Sequence, residues 1–323
     1  MHCLRWVSVL VITIVLAAVS PHAARQRSTV AKPWAPPSTP WGDPDLQGVF
    51  ANDNEYATPL ERPAEFDGRT LADISPTEMA AIQRSARERM LAALPGGRVR
   101  GPDEWWLQNL DLSKRSQPWL VIDPADGHIP PLTPDGRRRA TAARGSFIGG
   151  PFNGPEDFSL LDRCITRGIP GSMIPVMYDN VYEIVQAPGY VAITYEIVHE
   201  ARVIPLDNRS HVGAGVQQYM GDPRGHWEGN TLVVETTHFT AAAAYRGASP
   251  SLRVVERFTA IAPDVIAWTA TLNDATTWTR PWTIAMPLRR YGHPSLPYEC
   301  HEGNYGLKNI LSAARAAEKA TGK

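Results

Sequence analysis

The chain has 323 residues, 43% of them hydrophobic and 20% charged, with a net charge of −1. That length suits one large domain or two modest ones, and the balance is that of a globular protein. Near-neutrality leaves no basic face for nucleic acid and no polyanionic tail, and 10 tryptophans with 29 prolines suit strands, turns and loops better than a helical bundle.

Residues 1–24 read as a signal peptide. Arg5 supplies the positive end, residues 6–19 form the apolar run, and cleavage is expected near residues 18–20 or in the region ending at Ala24. Such a leader implies a periplasmic or secreted protein with no membrane attachment after its removal; an uncleaved anchor is the alternative. Cys3 precedes the apolar run, which argues against a lipoprotein. Cys164 and Cys300 then remain of three cysteines. An oxidising compartment lets them pair, and closing so long a loop stabilises by ~4–5 kcal/mol on a chain-entropy account. Two buried thiols or a catalytic cysteine are the alternatives, although neither residue stands in a nucleophile motif.

Residues 26–60 hold Lys32-Pro33-Trp34-Ala35-Pro36-Pro37 and Thr39-Pro40-Trp41-Gly42-Asp43-Pro44, which forbid a helix and favour an extended arm pinned by its tryptophans. Ser75-Pro76-Thr77-Glu78 is a helix start, with the helix expected to run to about Leu94 and stop at Pro95-Gly96-Gly97. Arg84, Arg87 and Arg89 form its solvated face. Trp105-Trp106 and Pro130-Pro131 follow, and Arg137-Arg138-Arg139 reads as a solvated turn or helix end. From residue 178 the signal changes to strands: 181–186 and 190–199 across a Pro-Gly turn, then 202–206, 225–227 through a turn into 231–239, 252–259, 265–272 and 282–288. Residues 307–320 form a C-terminal helix that packs across the mouth or side of the sheet.

Neighbouring antiparallel strands with short turns close best as a barrel or fold as a sandwich, since either limits exposed edges. The expected fold is mainly β: an antiparallel barrel, lipocalin-like, or a sandwich, with an extended Pro/Trp-rich N-terminal arm and a C-terminal helix. The expected division is a leader at 1–24, an arm with one helix at 25–160, and a barrel domain at 161–323.

Five phrases carry a resemblance: Trp41-Gly42-Asp43-Pro44-Asp45-Leu46-Gln47-Gly48, the block GHWEGNTLVVETTHF from Gly225, VERF from Val255, TWTRPW from Thr277, and YECHEGNYG from Tyr298. Together they resemble a large group of mostly uncharacterised secreted bacterial proteins, and the likeness covers most of the chain from Trp41 onward. It implies export and a single main domain, and it assigns no catalytic residue. Gly225-His226-Trp227 beside a strand resembles, more loosely, the lipocalin-like barrels.

Alternation along 190–199 places Val191, Ile193, Tyr195, Ile197 and His199 on one face and Glu196 on the other. An ionisable group among aliphatic neighbours must be paired or carry a shifted pKa. His199 is therefore the first candidate for general acid or base, and Tyr195 for proton donation or ligand orientation. A Cys164–Cys300 disulfide would bring Arg163 and Arg167 to His301 and Glu302, a catalytic and anion-binding set, with Arg202 beside them. The plainer readings are a core histidine with one hydrogen bond and an Arg163–Glu302 ion pair. Asp179, Glu183 and Glu196 read as exterior or rim residues.

No metal ligand is assigned. His199-Glu200-Ala201-Arg202-Val203 lacks the second histidine of a zinc-protease helix, and His211, His226, His238, His293 and His301 show no short ligand spacing. No phosphate loop or Gly-x-Ser-x-Gly elbow appears, so no cofactor is implied. The expected function is binding of a small, partly apolar molecule in a barrel cavity, with residues enough for cofactor-free elimination, hydration or isomerisation. Two alternatives stay open: a non-catalytic ligand-binding or carrier protein, and an envelope-interaction protein whose arm docks a partner. An enzyme requires His199 or His301 at a solvent-reachable pocket, a carrier only an apolar lining, and an envelope protein a filled barrel.

Overall fold

The strand signals of the C-terminal half resolve into one antiparallel sheet that curls into a nearly closed barrel. The computed structural model describes residues 34–92, 112–143, 145, 149–176, 180–243 and 245–322. The expected leader, the 95–97 helix stop, Trp105-Trp106 and Asp179 lie outside these residues. The strands are β1 Gly48–Ala51, β2 Val121–Asp123, β3 Val181–Ala187, β4 Tyr190–Tyr195, β5 Ala201–Pro205, β6 Asp222–Glu228, β7 Thr231–Thr237, β8 Arg253–Ala262, β9 Val265–Asn273 and β10 Trp282–Arg290. Nine of them, among the described residues, follow one another in the order β5-β4-β3-β1-β10-β9-β8-β7-β6, and β2 pairs with β10 beside the ring.

Period-two alternation decides what faces inward. Val254, Glu256, Phe258 and Ala260 of β8 are buried, as are Ile266, Trp268, Ala270 and Leu272 of β9, and Trp282, Ile284, Met286 and Leu288 of β10. Tyr182, Ile184, Val191, Ile193, Tyr195 and Ile204 meet them from β3, β4 and β5 in one core cluster. Burying each such large side chain contributes about 1.5–3 kcal/mol. This cluster packs the interior, and a cleft of about 240 Å³ reaches it where Leu46, Phe50, Ala260 and Ile266 meet Trp34 and Arg290.

Two features of the ring have no signal in the sequence. β1 comes from the arm: Val49 pairs with Glu183 of β3, and Phe50 pairs with both Tyr182 of β3 and Arg290 of β10. The Arg290 guanidinium sits 4.9 Å from the Phe50 ring centroid. Residues 34–323 accordingly make one compact unit, with no seam at residue 160. The second feature is the junction of β5 and β6, which no ladder joins among the described residues. Gly225 makes the approach possible there, because a Cβ would stand 2.7 Å from both Ile204 Cγ2 and Leu206 Cδ2. Side-chain packing closes the ring at that point.

The run expected as a strand over 190–199 ends at Tyr195. Val198 and His199 take φ of 62° and 52°, so Ile197–His199 makes a tight turn in the left-handed region. The turn feeds β5 directly, with the Tyr195 N–H donating to Glu200 O at 2.8 Å and the Glu196 N–H to Val181 O at 3.0 Å. Alternation therefore fails beyond Tyr195. Glu196, expected outside, is buried, whereas His199, expected on the apolar face, is exposed.

Three α-helices are described: α1 Pro76–Ala92, α2 Pro134–Thr141 and α3 Gly306–Thr321. Ser75 caps α1 by accepting the Glu78 N–H at 3.2 Å. The Arg137-Arg138-Arg139 run lies in α2, and Arg139 donates to Gly247 O and Thr277 Oγ1. None of the α3 residues is buried. Its half-buried Leu307, Ile310, Leu311 and Ala314 follow the i, i+3, i+4, i+7 spacing of one helix face.

Candidate ligand-binding cleft

Cys164 and Cys300 form a disulfide with Cα atoms 5.9 Å apart. It ties the loop before β3 to the segment that leads into α3. Above it lies a cleft of about 590 Å³. The barrel rim supplies Ile197, the 158–162 loop Phe158 and Leu161, and α3 Leu307 and Ile310, with Tyr298 and Cys300 between them. The volume falls within the range of small-molecule sites, and the lining is dominated by apolar side chains. Of its polar members, Asp162 Oδ2 accepts from Ser159 Oγ at 2.8 Å, Asn304 donates to Cys300 O at 2.9 Å and Thr58 Oγ1 donates to Glu55 at 3.3 Å, while Tyr56 and Tyr298 add to the wall.

The residues singled out from the sequence fall into three places. Around the disulfide, Arg163 and His301 line one adjoining cleft of about 340 Å³ together with Cys164 and Cys300. Glu302 is exposed and accepts the His301 backbone N–H at 3.2 Å. Arg167 turns away and donates to Ile174 O at 3.1 Å.

His199 occupies a second cleft of about 300 Å³, with Glu200 and the Tyr195 wall. Its Nε2 accepts the Tyr298 N–H at 2.8 Å, which commits that lone pair and leaves the proton on Nδ1. Glu200 is held above the usual carboxylate range by burial, partly offset by the Thr166 hydroxyl that donates to it at 2.5 Å.

The third place is the barrel interior. Arg202, expected beside the disulfide, is instead fully enclosed, where Nη2 donates to Glu256 Oε1 at 2.9 Å and Nη1 to Oε2. Their side chains are 2% and 0% exposed, so the pair is shut away from any ligand in solution. Trp268 Nε1 also donates to Glu256, at 3.1 Å. Burial would depress the Arg202 pKa, but the carboxylate reverses this and holds it above its ordinary value. Tyr195 is 1% exposed, with the guanidinium 5.9 Å from its ring centroid, and burial drives its phenol far up. Such a hydroxyl does not release its proton at working pH.

A search for ionisable side chains could not find the apolar cleft. The readable signal was the spacing of Leu307, Ile310, Leu311 and Ala314, an apolar stripe on a helix expected to pack across the mouth or side of the sheet. The chain matches no known protein family and no curated protein sequence.

Proposed function

We propose that this is an exported protein that binds a small, largely apolar molecule in the cleft between the barrel rim and α3, without transforming it. The observation that carries the reading is the contrast between a filled barrel and an apolar cleft of about 590 Å³ outside it. His199 and His301 each stand at a solvent-reachable cleft, as an enzyme would need, but His199 spends its Nε2 lone pair on a backbone N–H and Tyr195 is sealed in the core, which favours the carrier alternative. Export is supported by the leader pattern at residues 1–24 and by the disulfide. Among the described residues no helix is long and apolar enough to cross a membrane.

The test is a thermal-shift and native mass-spectrometry screen with saturated fatty acids, isoprenoid alcohols and flat aromatic acids. It compares wild type with Ile310→Glu, His199→Ala and His301→Ala. Binders should raise the wild-type Tm and lose at least about tenfold in affinity in Ile310→Glu, since a buried carboxylate without a partner is strongly disfavoured in an apolar wall. The histidine variants should keep the shift. Equal shifts in wild type and Ile310→Glu, or consumption of any ligand that stops in His199→Ala, would overturn the reading.

A further inference from the structure

We propose that His211, Asp222 and His238 form a binding site for a borderline divalent cation, of which zinc is the best match. These residues lie well apart in sequence, and β6 and β7 bring them together: Asp222 opens β6 opposite Thr237 of β7, and His238 follows directly. One ligand atom from each of the three lies within 4.8 Å of the others. His211 Nδ1 stands 2.8 Å from Asp222 Oδ2. The two imidazole rings lie with centroids 5.5 Å apart and an interplanar angle of 26°. With zinc–nitrogen bonds of about 2.0–2.1 Å, two imidazoles on one tetrahedral ion hold their centroids roughly 5 Å apart. The pair thus already has nearly the separation that a shared ion imposes.

The surroundings also suit a cation. Asp222 is buried, and its other oxygen accepts from Arg224 Nη1 at 2.6 Å, which fixes the carboxylate so that Oδ2 faces His211. The second nitrogen of His211, Nε2, lies 3.7 Å from Glu235 Oε1, and Arg253 pairs with the other Glu235 oxygen. At 3.7 Å this oxygen stands beyond hydrogen-bond reach, and a small turn of the ring would make the carboxylate–imidazole contact that orients metal-bound histidines. The Thr237 hydroxyl is 2.7 Å from His238 Nδ1 and 3.4 Å from His211 Nδ1, so a fourth polar atom stands near both rings. Two imidazoles and one carboxylate suit zinc and its neighbours, not calcium or magnesium, which take oxygen ligands. A simple His211–Asp222 hydrogen bond would account for that contact alone. It would not bring His238 onto the same point or place a carboxylate behind His211.

The test uses the full chain with its disulfide intact, stripped with EDTA and titrated with zinc chloride by calorimetry, and with cobalt by visible absorption. Wild type should take up one zinc per chain and give the intense absorption of tetrahedral cobalt. His211→Gln and His238→Asn (asparagine tolerates the φ of 59° found at position 238) should each weaken binding by more than the ~10–100-fold that even outer-shell losses cost. Glu235→Gln should weaken it within that span, and His226→Gln, on the exposed His226–Glu228 pair, should leave it unchanged. Melting in EDTA checks that each variant is folded. If either ligand variant does not fold, the wild-type stoichiometry and cobalt spectrum decide. Lack of a one-to-one complex, a purely octahedral cobalt spectrum, or wild-type affinity in both ligand variants would overturn the assignment.

Discussion

Arg202 and Glu256 present a sharp energetic problem at the scale of single residues, because both charges lie in the apolar centre of the barrel. Removing two charges from water costs several kcal/mol each, and only close pairing with further hydrogen bonds offsets that cost. The structure supplies both, through two guanidinium–carboxylate bonds and the Trp268 N–H. Glu256→Gln should therefore destabilise by about 3–5 kcal/mol, since it strands a buried guanidinium, while Arg202→Met with Glu256→Leu should recover most of the loss. Urea melts of the three chains measure this, and a single-variant cost below about 1 kcal/mol would mean that water reaches the pair. Glu256 was not singled out, although the strand pattern around it carries the signal. Glu256 stands between Val254 and Phe258 in an alternating strand, so it had to face the core and needed a cation there. Which cation could not be read, because pairing across the barrel depends on strand order, which the local pattern does not encode.

At the scale of elements, the cleft depends on how α3 is held. That helix buries no residue fully; a half-buried stripe, the Arg315 bonds to Phe152 O and Asn153 O at 3.0 Å, and the disulfide just before it keep it in place. Replacing both cysteines, Cys164→Ser with Cys300→Ser, should lower global stability by ~4–5 kcal/mol at most. The larger effect should be local. Limited proteolysis is expected to cut between residues 300 and 306 while the barrel stays intact, and ligand affinity should fall with it. Proteolysis that consumes barrel and helix together would show instead that α3 is part of the cooperative core. The disulfide and α3 were both legible, the first from two cysteines left behind a leader-like segment and the second from its length and composition. The groups gathered by the disulfide were only partly legible: Arg163 and His301 share its cleft, but Arg167 turns toward Ile174 O because the chain bends sharply after Cys164.

For the whole molecule, the decisive fact is that the ring is completed from outside the strand-rich half. The strands β3 to β10, β6 excepted, announce themselves by β-branched and aromatic residues, and the barrel follows from them. Gly48-Val49-Phe50-Ala51 carries no such pattern, because four residues held on both sides by neighbouring strands need little propensity of their own. Yet β1 is the sole link between β3 and β10 in the strand order. Without it the sheet separates into β5-β4-β3 and β10-β9-β8-β7-β6, which would meet only across the packed junction at Gly225 and would expose two unpaired edges. Phe50 would also leave the core, together with Leu46, which belongs to the same buried cluster. A chain limited to residues 161–323 should consequently lack a cooperative thermal transition and sharp near-ultraviolet circular dichroism, and should associate through its edges. Adding residues 34–60 in trans as a peptide should restore part of both signals. A cooperative melt of 161–323 alone, close to that of the full chain, would instead make the arm an accessory laid on a barrel that closes without it.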